Sequence, residues 1–147
     1  MELPEYVTVE EVRRVCKELT ISDWTTLRKP KVLPDEARVI LGDVNIERMN
    51  IALEDFCKGL EVELEHGLRF RDANVTNNHP ILTGKIVLAH LKESLDYYKR
   101  LEVAELEGDL LKALIAQDFP KVKKLYTELT EARRILSQAE LDQLASE

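Results

Sequence analysis

The chain has 147 residues, 44% hydrophobic and 33% charged, with a net charge of −7. This length and apolar content suit a folded core that needs neither disulfides nor structural metal, and they argue against disorder over most of the length. Acidic side chains interleave with Lys and Arg and leave no basic stripe to replace phosphate counterions, and no apolar run approaches ~20 residues, so neither a nucleic-acid partner nor a membrane span is expected. In chain order, Thr8 with Glu11 forms a capping-box signature ahead of a first helix, whose apolar side is Val9, Val12, Val15, Cys16 and Leu19. Ser22 is expected to cap a short turn through Trp24, whose indole is read either as a lid over that helix or as an exposed anchor for a partner. Lys29-Pro30 and Leu33-Pro34 break the chain. PDEARVIL reads as a short helix with Pro34 at its first position, ended by Gly42.

A longer helix is expected from Ile46 to His66. Its stripe is Met49, Leu53, Phe56, Leu60 and Leu64, and Gly67 is expected to stop it in a left-handed conformation. After the polar stretch RFRDANVTNNHP comes a helix from Ile81 to Glu93, with Pro80 near its start. Ser94 is placed to cap the next helix, which carries two apolar stripes. Tyr97, Leu101, Ala104, Gly108, Leu111 and Ile115 form a heptad-like seam. Val103, Leu106, Leu110 and Ala113 form a second stripe on another side. A tight connection at Gln117-Asp118-Phe119-Pro120 leads to a helix with Val122, Leu125, Leu129, Ala132 and Leu136. So short a connection implies an antiparallel pair. Ser137 with Glu140 reads as one more capping box and a final short helix. No strand-length alternation occurs, so the fold class is all-α: a compact helical module with a C-terminal antiparallel hairpin. The segments divide as an N-terminal helical extension over 1–44, a core module over 45–102 and the hairpin over 103–147, together one compact domain.

Other features have plain readings. Lys121, Lys123, Lys124, Arg133 and Arg134 are diluted by acids and read as a solvated helix face. Cys16 and Cys57 lack C-x-x-C spacing and read as reduced, buried thiols of a cytoplasmic protein. The opening MELPEYVTVEE is acidic, unlike a signal peptide, so the Asn74-Val75-Thr76 sequon carries little weight. There is no phosphate-binding loop, no nucleophile elbow, no H-E-x-x-H and no dinucleotide fingerprint, hence no catalytic residue to name.

The chemistry-bearing stretch is VELEHG, residues 62–67. On a helical wheel Glu63 falls at the margin of the buried face and Glu65 points outward. His66 is the i+3 neighbour of Glu63 at the helix end. In the following helix His90 lies opposite Lys85 and Lys92, with Glu93 three residues on and Asp96 and Tyr97 just beyond. One Glu and one His from each of two helices are candidates for a metal site of Glu63, His66, His90 and Glu93, suited to zinc, iron or manganese. Two other readings stand beside it. In one, no cofactor binds and these groups, with Glu65, Asp96 and Tyr97, form a structural polar network. In the other, Glu63 or Glu65 does acid/base work with a histidine.

GLEVELEHG and NVTNNHPILTGKIVLAHLKESLDYYKRLE resemble a family of small uncharacterised proteins found in bacterial, metagenomic and bacteriophage genomes. The shared pattern runs from about Lys58 to Glu102. It takes in Glu63, Glu65, His66, Asn74, Thr76, Asn77, Pro80, His90, Glu93, Asp96, Tyr97 and Tyr98. His79 stands where the pattern has an acidic residue, and Leu95 where it has proline. The resemblance implies a compact module in a prokaryotic or phage setting, and no activity. Helical flanks and a doubly striped helix suit a component of a larger assembly such as a virion. The expectation is a non-enzymatic structural or interaction protein that binds a protein partner or its own copies. Val103, Leu106, Leu110 and Ala113 are the candidate interaction seam. The setting expected is the cytoplasm of a prokaryotic or phage-infected cell, or the virion. The alternative is a metal-binding helical protein, with or without an enzymatic reaction.

Overall fold

The computed structural model describes residues 7–145. The first six residues of the N-terminal segment, with the start of MELPEYVTVEE, and the last two of the C-terminal one lie outside the described residues. All regular structure among the described residues is helical, as the sequence predicts, and contacts divide the chain into two units that meet at Glu93 and Ser94.

The first unit holds α1 (Val9–Glu18), a 3-10 turn (Trp24–Thr26), α2 (Pro34–Val44), α3 (Leu53–Arg69), a 3-10 turn (Arg71–Ala73) and α4 (Pro80–Glu93). Its core is built from Val12, Val15, Cys16, Trp24, Val32, Ala37, Ile40, Val44, Phe56, Leu60, Leu64, Val87 and Leu91, all buried. Helices α2, α3 and α4 pack on one another, and α1 packs on α4 and the Trp24 turn. Thr8 caps α1 by accepting from the Glu11 backbone N–H at 3.2 Å, while the Glu11 carboxylate binds Arg14. Trp24 is buried, as a lid on α1 should be. Asp23, not Ser22, caps its turn by accepting from the Thr25 N–H at 2.9 Å. The Ser22 N–H instead donates to the buried Glu36, whose other oxygen accepts from Leu33 N–H at the start of α2. Burial works to raise the Glu36 carboxyl, but these hydrogen bonds hold it below the usual range.

Three helix boundaries differ from those expected. The helix expected from Ile46 begins only at Leu53. Asn45 closes a turn on Met49, donating from Nδ2 to the Met49 carbonyl and accepting the Met49 N–H, both at 2.9 Å. Arg48 takes a left-handed φ of 53° inside that turn, which no helix tolerates. At the other end α3 runs through Gly67 to Arg69, and α2 likewise passes Gly42 to Val44. No glycine has positive φ among the described residues. Gly67 is there for space: a Cβ would sit 2.0 Å from Asn78 Oδ1 and 2.9 Å from Asn74 Nδ2.

His79 precedes α4 and is buried. Its Nδ1 accepts the Leu82 backbone N–H at 3.4 Å, the task an acidic side chain performs at a helix start. Burial holds its pKa below the ordinary 6.5. The unfolded chain therefore takes up this proton first as pH falls. Stability from this group is complete above pH 6.5 and is lost as pH drops from there toward the lowered folded value. Urea unfolding at pH 7.5 and 5.5 should show the wild type losing more stability than His79→Asp, which keeps a cap and removes the buried imidazole. An equal loss in both would rule this account out.

The second unit is α5 (Tyr97–Ile115) and α6 (Phe119–Ala145), packed on each other. Arg100 pairs with Glu140 at 2.8 Å and Arg133 with Glu107 at 2.6 Å, which fixes the antiparallel register of the expected hairpin. Ser94 does not cap α5 through its backbone amides; its hydroxyl bonds Asp96 instead. Nor does the Ser137–Glu140 signature start a new helix. With no glycine or proline nearby, α6 continues unbroken through both residues.

Candidate functional site

The last turns of α3 carry Glu63 and His66, and the last turns of α4 carry His90 and Glu93. Packing of α3 on α4 brings the two pairs together. Glu63 Oε1 lies 3.7 Å from His90 Nε2, and Glu63 Oε2 lies 3.9 Å from His66 Nδ1. Glu93 Oε2 is 4.0 Å from the other ring nitrogen of His90, Nδ1. The four groups thus run as a chain, Glu93–His90–Glu63–His66, with Glu63 at its centre. The Glu63 side chain is 17% exposed and that of Glu93 is 73% exposed. Only the central carboxylate is therefore sheltered from water, and charge contacts to it are screened least.

Beside Glu63 and His66 opens a pocket of about 200 Å³, with Phe70, Asn74, Thr76 and Thr83 among its walls. Its shape depends on the loop between α3 and α4. Asn74 Nδ2 donates to the Gly67 carbonyl at 3.2 Å and to Asn78 Oδ1 at 2.9 Å. Thr76 donates to Asn74 Oδ1 at 3.2 Å and accepts the Asn78 N–H at 3.3 Å. Asn77 and Asn78 both take left-handed φ, which asparagine tolerates better than most residues. Asn77 Nδ2 reaches the Val7 carbonyl at 2.7 Å. Sequence reading treats this stretch as a polar loop. The closely spaced Asn and Thr residues, able to bond one another's backbone, are the signal that it is built.

Chemically, the arrangement offers two imidazoles to one carboxylate. Ligands of one tetrahedral zinc stand roughly 3.3 Å apart, so the Glu63–His90 and Glu63–His66 separations are close to such spacing. The three do not meet at one point, however. Among the described residues no group of three or more His, Cys, Asp or Glu is arranged to hold a metal ion. Glu93 faces the His90 nitrogen away from Glu63, where it would orient the ring and not share a ligand position. Glu65 is exposed. The two thiols stand apart from this chemistry: burial pushes both Cys16 and Cys57 up, and the Cys57 thiol donates to the Val32 carbonyl.

In the second unit, Asp96 is buried and grips Arg100 through two bonds of 2.8 Å, besides its bond with Ser94. Burial works to raise its carboxyl, but those partners hold it below the usual range. Tyr97 is half-buried, its ring edge-on to Tyr98 at 5.2 Å. On α5, Ala113 is buried and Val103, Leu106 and Leu110 are half-buried, in heptad register with buried Leu125, Leu129 and Ala132 of α6. The outward apolar residues belong to the other stripe and the hairpin tip. Leu111 is 59% exposed, Leu114 48%, Ile115 74% and Phe119 67%.

A family model described as "Protein of unknown function (DUF5661)" matches residues 12–107. The match takes in α2 to α4 with most of α1 and the first half of α5. No curated protein and no solved structure matches the chain. No helix among the described residues is long and apolar enough to cross a membrane.

Proposed function

We propose a non-enzymatic interaction role for this chain, which belongs to the DUF5661 family of proteins of unknown function. In this reading it is a helical component of a larger assembly, and the second unit supplies the binding face. The observation that carries the reading is the set of large apolar side chains left open on the hairpin, Leu111, Leu114, Ile115 and Phe119. Isolated exposed apolar residues are ordinary, but four large ones within residues 111–119, at the end of the hairpin, support an interaction surface. The resemblance of residues 58–102 to sequences from bacteriophage genomes supports a particle, such as a virion, as the setting. The test is retention of partners by the immobilised full chain and by Leu111→Ser/Ile115→Ser. The wild type should hold a partner that the variant loses, with equal helicity in both. If the wild type holds nothing that the variant does not, the reading fails.

A second reading rests on Glu63 standing between His66 and His90. Zinc, iron or manganese would draw these side chains together, with Glu93 fixing the His90 ring. Protein purified without chelator should then carry near-stoichiometric metal. Chelation should lower the thermal midpoint, because a ligand bound only to the folded state stabilises it. His66→Ala/His90→Ala should abolish the metal while keeping the helices. Glu93→Gln should weaken binding by about 10–100-fold, as loss of an outer partner does. Metal-free protein whose midpoint ignores chelator would remove this reading.

A further inference from the structure

A second cavity, of about 270 Å³, shares Gly67 and Asn74 with the pocket beside Glu63. Its walls come from the start of α1, the Trp24 turn, the last turn of α3 and the loop that follows, all within the first unit. Trp24, Leu27 and Leu68 supply apolar surface, and Thr25, Asn77 and Asn78 supply polar surface. Arg71 is the one ionisable residue among these walls, so they carry a positive charge and no carboxylate.

That charge is not answered within the chain. Arg13, Arg14, Arg38, Arg100, Arg133 and Arg134 each pair with a carboxylate of the same chain. Arg71 is exposed, and its side chain makes no hydrogen bond or ion pair among the described residues. Arg48 is unpaired too, but the groove it lines is open, with Ile46 there 85% exposed. Around Arg71 the walls are half-buried, from Thr25 and Leu27 to Leu68 and Asn78. Asp23, the carboxylate beside Thr25, is already held by the Thr25 N–H and hydroxyl and by Arg13. A second donor is also left over. The Gly67 carbonyl can only accept, so Asn74 faces it with its nitrogen, and Asn78 faces that nitrogen with its oxygen. The Asn78 amide nitrogen keeps both hydrogens, and no acceptor among the described residues takes them.

We propose that this cavity binds a small organic acid, its carboxylate on Arg71 and Asn78 and its apolar body against Trp24, Leu27 and Leu68. A guanidinium and an amide N–H are the donors a planar carboxylate takes. A phosphate would bring nearly two negative charges to a single guanidinium, in a chain of net charge −7, and would gain nothing from the apolar walls. At ~30 Å³ for each water the space holds about nine waters, which suits a small acid. The site belongs to the first unit and uses neither the hairpin nor Glu63, so it stands independently of both readings of the function.

The test titrates the full chain with cyclohexanecarboxylate, with neutral cyclohexanecarboxamide and inorganic phosphate as comparisons. Calorimetry reads binding, and so does fluorescence, because the chain's single tryptophan is in the wall. The acid should bind once per chain with a dissociation constant below about 10 mM and shift the Trp24 emission, and the amide and phosphate should bind at least about ten-fold more weakly. Arg71→Met should weaken the acid by at least about ten-fold, the loss of a charge-assisted hydrogen bond, and keep the wild-type urea midpoint because the side chain has no partner to lose. Asn78→Asp keeps the oxygen that Asn74 needs and removes the donor, and should weaken the acid as well. Acid that binds Arg71→Met as tightly as the wild type overturns the site. A wild type that takes up no acid, or prefers phosphate or the amide, overturns the ligand.

Discussion

Phe56→Ala should lower the stability of the first unit by about 3–5 kcal/mol, the range for emptying a fully buried aromatic site. Phe56 is 0% exposed on α3, and its ring tip lies 3.6 Å from where a Gly84 Cβ would project from α4. Three helices lean on this position, because α2 packs on both α3 and α4. Truncation leaves a cavity that rigid helices cannot close. The chain's single tryptophan makes the measurement direct: Trp24 is buried in this unit, so its fluorescence during urea unfolding reports the transition that Phe56 supports. Ile46→Ala is the control. Ile46 is 85% exposed, and its loss should fall within about 0.5 kcal/mol of zero. Equal effects at the two positions would mean that α3 does not present this face to the core.

Gly84→Ala is the second test, and it pits two effects against each other. Alanine in a helix interior gains roughly 1 kcal/mol over glycine. Here the new methyl would lie 2.6 Å from Ile40 Cγ2 and 3.3 Å from Val44 Cγ1, so α2 and α4 must part. Overpacking of this kind costs about 1–3 kcal/mol, and the tighter contact is far inside van der Waals range, so the variant should be net destabilised. The offending atom is a branch methyl at Cβ of Ile40. Leucine carries its branch one carbon further out, so Ile40→Leu should recover part of the loss in the double variant. The pair should couple by 0.5 kcal/mol or more, about the lower limit seen for residues in contact. Additive losses would mean that the two residues do not touch.

How much of this was legible depended on the kind of signal. The heptad spacing of α5 and α6 and the short link between them announced the hairpin. The apolar stripe of α3 named Phe56, Leu60 and Leu64 as core. Boundaries failed where a side chain outcompeted periodicity: Asn45 folding back on Met49 delayed α3, and no residue pattern of the apolar stripe could show that. Gly67 misled because one residue type serves two purposes, a left-handed turn or a close approach, and the close approach needs Asn74 and Asn78, which are distant in the spacing. The meeting of Glu63 with both histidines was half legible. Each pair was visible within its own helix, but only the packing of α3 on α4 places one carboxylate between two rings. Glu36 was missed as a brace because its donors, Ser22 and Leu33, belong to a loop and a cap.

The loop tied to Gly67 also hangs on the chemistry of one amide. Asn74 holds the end of α3 by donating two amide hydrogens toward two oxygens, those of Gly67 and Asn78. Asparagine is thermolabile, and slow loss of its amide leaves a carboxylate, which has no hydrogen to donate. A carboxylate at position 74 would face both oxygens as an acceptor against acceptors. A one-dalton gain at Asn74 would therefore mark the fraction of molecules whose clasp beside the Glu63 pocket has opened.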